Sequence, residues 1–116
     1  MRISSFILPQ NDNAGESLAD IHAALRAQLC ATFGGFTACE SLGGWIDPKS
    51  MKCYTEAGIR YDIACNPSDH VKLDSIAIFY GRMANQVAMM VCHDGNVTFH
   101  DIAEREAAMQ KEYDMA

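Results

Sequence analysis

Two apolar stripes at three- and four-residue spacing decide most of what this chain can become. Leu18, Ile21, Leu25, Leu29 and Phe33 make the first; Leu73, Ile76, Ala77, Tyr80 and Ala84 make the second. Each marks one face of a helix. The segments around them alternate with a period of two instead, as in Ile59, Tyr61 and Ile63 against Arg60 and Asp62. A helix with a single apolar stripe has to bury it, and the neighbouring strands offer the surface. At 116 residues there is no room for a second core, so residues 1–116 read as one α+β domain.

The punctuation fixes the order. "RISSFILP" is a first strand ending at Pro9, and "QNDNAGES" is a polar loop. Ser17 with Asp20, or Asn13 with Glu16, is placed to cap the first helix, which should stop at Gly34. A strand near "FTAC" follows, with a bend or bulge expected at Gly43-Gly44. "WIDPKSMKCY" reads as a hairpin with a type I turn at "DPKS", and a long strand returns through "MKCYTEAGIRYDIAC". "NPSD" opens the second helix, with Asn66 as cap and Pro67 in the first turn. "VAMMVCHDGNVTFHD" is a hairpin centred on Asp94-Gly95. Asp101 with Glu104 caps a short tail helix, "IAEREAAMQKEYDM". The result is a ferredoxin-like βαββαβ antiparallel sheet with two helices on one face, an extra C-terminal hairpin strand and a tail helix.

With Asp94-Gly95 as the turn, His93 pairs with Asn96, Val91 with Thr98 and Met89 with His100. Val87, Met89 and Val91 then fall on a face expected to be solvated, which suits a homodimer through the 87–100 hairpin face or cover by the tail helix.

Composition excludes several partners. The net charge is −6, and the nine cations never cluster, which argues against direct nucleic-acid binding and against an anionic membrane. Cys30, Cys39, Cys53, Cys65 and Cys92 are odd in number and widely spaced, so neither a disulfide framework nor a zinc knuckle is expected. Buried, reduced thiols in a cytoplasmic setting are. "MRISSFILPQ" has no long apolar leader, and no run is long enough to span a bilayer.

Catalytic constellations are scarce. The glycines of "FGGFTACESLGG" follow a helix and precede a strand, the reverse of a phosphate cradle. Cys92, His93, Asp94, His100 and Asp101 lie close in sequence, but the hairpin register spaces His93 and His100 by about 13 Å along one face. No metal and no cofactor is therefore expected. No feature brings a histidine to a chosen serine or thiol, and no catalytic residue is assigned. The residues left are Thr37, Trp45, Tyr54, Glu56 and Arg60 on the middle strands, a candidate binding surface. The bland alternative makes Trp45 core and Glu56 a tie to the hairpin backbone.

At these positions "FGGFT", "GGWIDP", the glutamate of "CYTEAG" and "IRYDI" resemble a group of small phage and bacterial proteins sharing an FGG-x-T…GW…E skeleton, for which no activity is established. Ser50 and Met51 stand where that group has a glycine-containing turn. The resemblance implies an α+β fold and a phage or bacterial setting, and carries over no catalytic residue. The expected function is a small acidic accessory protein that binds, and inhibits, a host or defence protein. Two alternatives stand beside it: a nucleotide or metabolite binder with its ligand near Trp45, Glu56 and Arg60, and an unrecognised hydrolase.

Overall fold

The computed structural model describes residues 1–102. Its elements run β1 (Arg2–Pro9), α1 (Ala19–Phe33), β2 (Thr37–Ile46), β3 (Cys53–Cys65), a single 3-10 turn (Pro67–Asp69), α2 (His70–Met83), β4 (Ala88–His93) and β5 (Asn96–Asp101). The five strands form one sheet in the order β2-β3-β1-β4-β5, and every neighbouring pair is antiparallel. The expected tail helix lies outside the described residues, apart from Ile102 at its start.

Both apolar stripes cover one face of this sheet. Leu25 and Leu29 of α1 and Leu73 and Ala77 of α2 are fully buried, against Phe6, Leu8, Tyr61, Ile63 and Val91 from the strands. Each large side chain so buried contributes about 1.5–3 kcal/mol. Phe6 stacks on Tyr61 at 5.5 Å, and Phe36 meets the same ring edge-on at 5.8 Å. Among the described residues no helix covers the other face of the sheet, the open face, which carries Arg60, Asp62 and the alternate residues of each strand.

The helix ends were legible, with two differences. Gly34 closes α1 in the left-handed region at φ 87°, and its N–H reaches the Cys30 carbonyl. The start is not a capping box: the N-cap is Leu18, without a side-chain cap. Ser17 Oγ accepts from the Ala19 N–H at 3.2 Å, while Asp12 accepts from the Ala14 and Glu16 N–H groups at 2.9 Å each. The polar loop thus ties its acceptors to itself. Before α2, Asn66 and Asp69 bracket the 3-10 turn Pro67–Asp69, the Asp69 carboxylate accepting from the Asn66 N–H at 3.3 Å, and α2 itself begins at His70 with Asp69, not Asn66, as its N-cap.

Three sheet expectations are corrected. The Gly43-Gly44 pair makes no bulge: Gly43 pairs with Glu56 and Gly44 with Thr55 in unbroken register. Both stand on an exposed edge strand, where a missing side chain disturbs no packing. The β2–β3 loop is not a plain type I turn. Met51 takes φ 58°, the left-handed conformation that a glycine adopts at lower cost, while Asp47 gathers the Lys49 N–H and the Ser50 hydroxyl. In the last hairpin the register is as read, with φ 52° at Asp94 and 85° at Gly95, but the faces are exchanged. Met89 and Val91 are buried under α2, and Met90, Cys92, Val97 and Phe99 take the open face. The pairing of Phe6 with Val91 and Ser4 with His93 across β1–β4 forces this parity, which the hairpin alone does not reveal. The thiols also depart from expectation: Cys65 is buried, but Cys30, Cys39 and Cys53 are exposed.

Candidate functional site

Strand parity brings all five candidate binding residues to the open face. Trp45 pairs with Tyr54, Gly43 with Glu56, Cys39 with Arg60 and Thr37 with Asp62, so Thr37, Trp45, Tyr54, Glu56 and Arg60 point the same way. They do not form one cluster. Trp45 and Glu56 line a cleft, Tyr54 stacks on Trp45 at 4.8 Å, Arg60 pairs with Asp62 at 3.3 Å, and Thr37 lies at the other end of β2. Trp45 is half exposed, so it is not core.

The cleft exists because the sheet opens. β1 pairs with β3 along its whole length, Arg2 to Pro9, but with β4 only from Ser4 to Phe6. Beyond Phe6 the two strands part, and a cleft of about 920 Å³ lies between the β2–β3 ribbon and the start of β4. That volume suits a small organic ligand. Ile7, Met90 and Phe99 supply apolar wall, and Gly58 the floor. A Cβ on Gly58 would lie 3.0 Å from Ile7 Cγ2 and 3.1 Å from Ser41 Oγ, so a side chain there would press on both neighbours. Among the described residues the Glu56 carboxylate has no ion-pair or side-chain hydrogen-bond partner. Trp45 has one ring face backed by Tyr54, with Lys52 Nζ 5.2 Å from the Tyr54 centroid on the same ribbon.

The Pro9 edge of the cleft is held from below. His22, buried on α1, lies 2.8 Å by Nε2 from the Pro9 carbonyl and 2.5 Å by Nδ1 from the Tyr61 hydroxyl. A carbonyl only accepts, so Nε2 carries the proton and Nδ1 accepts from Tyr61. Burial pushes the Tyr61 phenol above its ordinary value, with the charge and the hydrogen bond of Arg26 pulling the other way.

A second polar cluster sits under α2. Ser4 Oγ is 2.7 Å from His93 Nδ1, and His93 Nε2 is 2.7 Å from Asp74 Oδ1. With an ionised Asp74, His93 donates to the carboxylate and accepts from the Ser4 hydroxyl. His70 stacks on His93 at 3.9 Å, His100 Nε2 lies 3.6 Å from the same Asp74 oxygen, and Cys65 Sγ is 3.5 Å from Ser4 Oγ. This corrects two expectations: histidines do meet a serine, and His93 and His100 do approach one carboxylate although their strand positions are far apart. The row has the connectivity of an acyl-transfer triad, but Ser4 is 1% exposed and no substrate carbon can reach it. No group of three His, Cys, Asp or Glu among the described residues is arranged to hold a metal ion.

Sequence reasoning missed His22, Ser4 and Asp74, and each left a trace. His22 falls between Leu18 and Leu25 at four- and three-residue spacing, inside the apolar stripe. Ser4 shares parity with Phe6 and Leu8. Asp74 stands one helical turn after His70.

No protein-family model and no curated protein matches the chain. Two solved structures share its fold. One is a phage SAM lyase in complex with S-methyl-5'-thioadenosine, at TM-score 0.63 and 12% identity, covering 85% of this chain and 88% of that one. The other is a phage SAM lyase in the apo state, at TM-score 0.64 and 12% identity, covering 85% and 87%. The likeness is one of fold: a five-stranded antiparallel sheet with two helices. No helix among the described residues is long and apolar enough to cross a membrane.

Proposed function

We propose that the cleft binds an adenosyl thioether or sulfonium, and that the chain cleaves S-adenosylmethionine to S-methyl-5'-thioadenosine. The observation that carries this reading is the Glu56 carboxylate, without a side-chain partner among the described residues, facing the same apolar, glycine-floored cleft as Trp45. A sulfonium is a positive charge carried on apolar carbon. A carboxylate and an aromatic face attract such a charge, and a flat floor with apolar walls accepts a purine ring. The fold shared with a phage SAM lyase adds support, as does the S-methyl-5'-thioadenosine bound in that enzyme. Attack of the substrate's own carboxylate oxygen on Cγ of its aminobutyrate chain breaks the Cγ–S bond, closes that chain to homoserine lactone and leaves the electron pair on sulfur as S-methyl-5'-thioadenosine, so one cleft serves substrate and product. The strand order β2-β3-β1-β4 with helices on one face supports a ferredoxin-like split βαβ core to which β5 is added.

The test is direct. Purified protein is titrated with S-adenosylmethionine and S-methyl-5'-thioadenosine by calorimetry, then incubated with the former while the latter is followed by chromatography. Saturable binding that Glu56→Gln weakens, with release of the thioether, is the expected result. Absence of both binding and turnover overturns the reading.

One observation favours a second reading. Val97 and Phe99 are more than half exposed on the open face beside Met90. They support docking of a second copy, or of a host or defence protein, on the 87–100 hairpin, through residues other than Met89 and Val91. Sedimentation of wild type and Phe99→Glu checks it: a mass above the monomer that the variant loses is expected for a second copy.

A further inference from the structure

Glycine at position 81 is unusual for its place. It sits inside α2, where it costs helix stability relative to alanine, and it is buried against β4. A Cβ built there would stand 2.3 Å from Met89 Cγ, 2.8 Å from Met89 Sδ and 2.9 Å from Ile102 Cδ1. The Ile102 atom is the end of a flexible side chain and can swing away. Met89 Cγ is in the middle of its side chain, so the whole side chain would have to leave.

Where it would go is set by its surroundings. Met89 is 2% exposed and lies in close-packed core on the helix side. It also lines the cleft, at the point where β1 and β4 have parted. The cleft is the open volume beside it. Resting on the ligand site proposed above, we infer that Gly81 sets the depth of the cleft by giving Met89 room under β4. Gly81 is thus a positioning residue: it touches no ligand, and it acts through Met89.

Four proteins test this: wild type, Gly81→Ala, Met89→Ala and the double variant. Binding of S-methyl-5'-thioadenosine is measured by calorimetry, and the Met89 methyl is followed by NMR with carbon-13 methyl-labelled methionine, assigned through Met89→Ala. In Gly81→Ala the Met89 methyl is expected to gain contacts to Ile7 or Pro9. Binding should weaken about tenfold or more, the effect of one methylene in a pocket. The double variant should recover most of that loss, which general damage to α2 would not allow.

Unchanged binding by Gly81→Ala, or a double variant as weak as Gly81→Ala, overturns the inference. If wild type binds neither thioether nor sulfonium, the proposed function fails, and the methyl contacts still decide: movement toward Ile7 supports the positioning role and its absence overturns it. If Gly81→Ala does not fold, recovery of folding in the double variant supports the clash with Met89, and failure of both overturns it.

Discussion

Two groups of reactive side chains occupy this small sheet, and they differ in one respect. Under α2, Ser4, His93 and Asp74 form a hydrogen-bonded row with His70 and His100 beside it, and the serine is sealed from solvent. In the cleft, Glu56 stands exposed beside Trp45, without a side-chain partner among the described residues. The first group has the more familiar catalytic connectivity and the second has the access. Chemistry on a substrate needs the access, because a nucleophile that nothing can approach only positions its neighbours. The sealed row fastens α2 to β1 and β4; the open pair stays accessible.

Substitutions that break this contrast should separate stability from binding. The largest loss is expected for His22→Ala, which leaves the Tyr61 hydroxyl and the Pro9 carbonyl without their buried partner: about 3 kcal/mol in urea unfolding. Asp74→Ala should cost about 2 kcal/mol by the same measure, since His93 Nε2 loses its charged acceptor. An Asp74→Ala protein as stable as wild type would show that the row fastens nothing. Glu56→Gln should leave unfolding within about 0.5 kcal/mol of wild type. It should still weaken S-adenosylmethionine binding about tenfold, equivalent to about 1.4 kcal/mol. A Glu56→Gln variant that loses stability instead would move Glu56 into the structural group.

The smallest effect is alkaline. Burial raises the Tyr61 phenol above its unfolded value of 10.0, so its stabilising contribution is complete below that pH and fades as pH climbs through the raised folded value. Absorbance at 295 nm should show a tyrosine fraction titrating late, and Tyr61→Phe should abolish that fraction.

Much of the fold was written locally. The stripe of α1, the left-handed Gly34, the Asn66-Pro67 turn and the Asp94-Gly95 register each follow from residues a few positions apart. What was not legible depends on partners far along the chain. The hairpin of β4 and β5 presents two faces of similar apolarity, and only Phe6 opposite Val91, eighty-five positions away, selects the inner one. The candidate site divides in the same way. Trp45 and Glu56 were readable as unusual residues on a strand, but the cleft beside them is made by β1 and β4 parting after Phe6. Asp74 was not singled out, because its place one turn after His70 does not announce two further histidines arriving from β4 and β5.

The ribbon that walls the cleft has another consequence. β2 is the outermost strand on its side, ten residues long, in unbroken register with β3 and with Glu40 as its one charged side chain. Among the described residues no strand lies beyond it, so its outward amides and carbonyls form a template for an incoming extended peptide. Concentrated protein should therefore polymerise through this margin first, and a lysine placed at Ser41 or Gly43 should slow that growth.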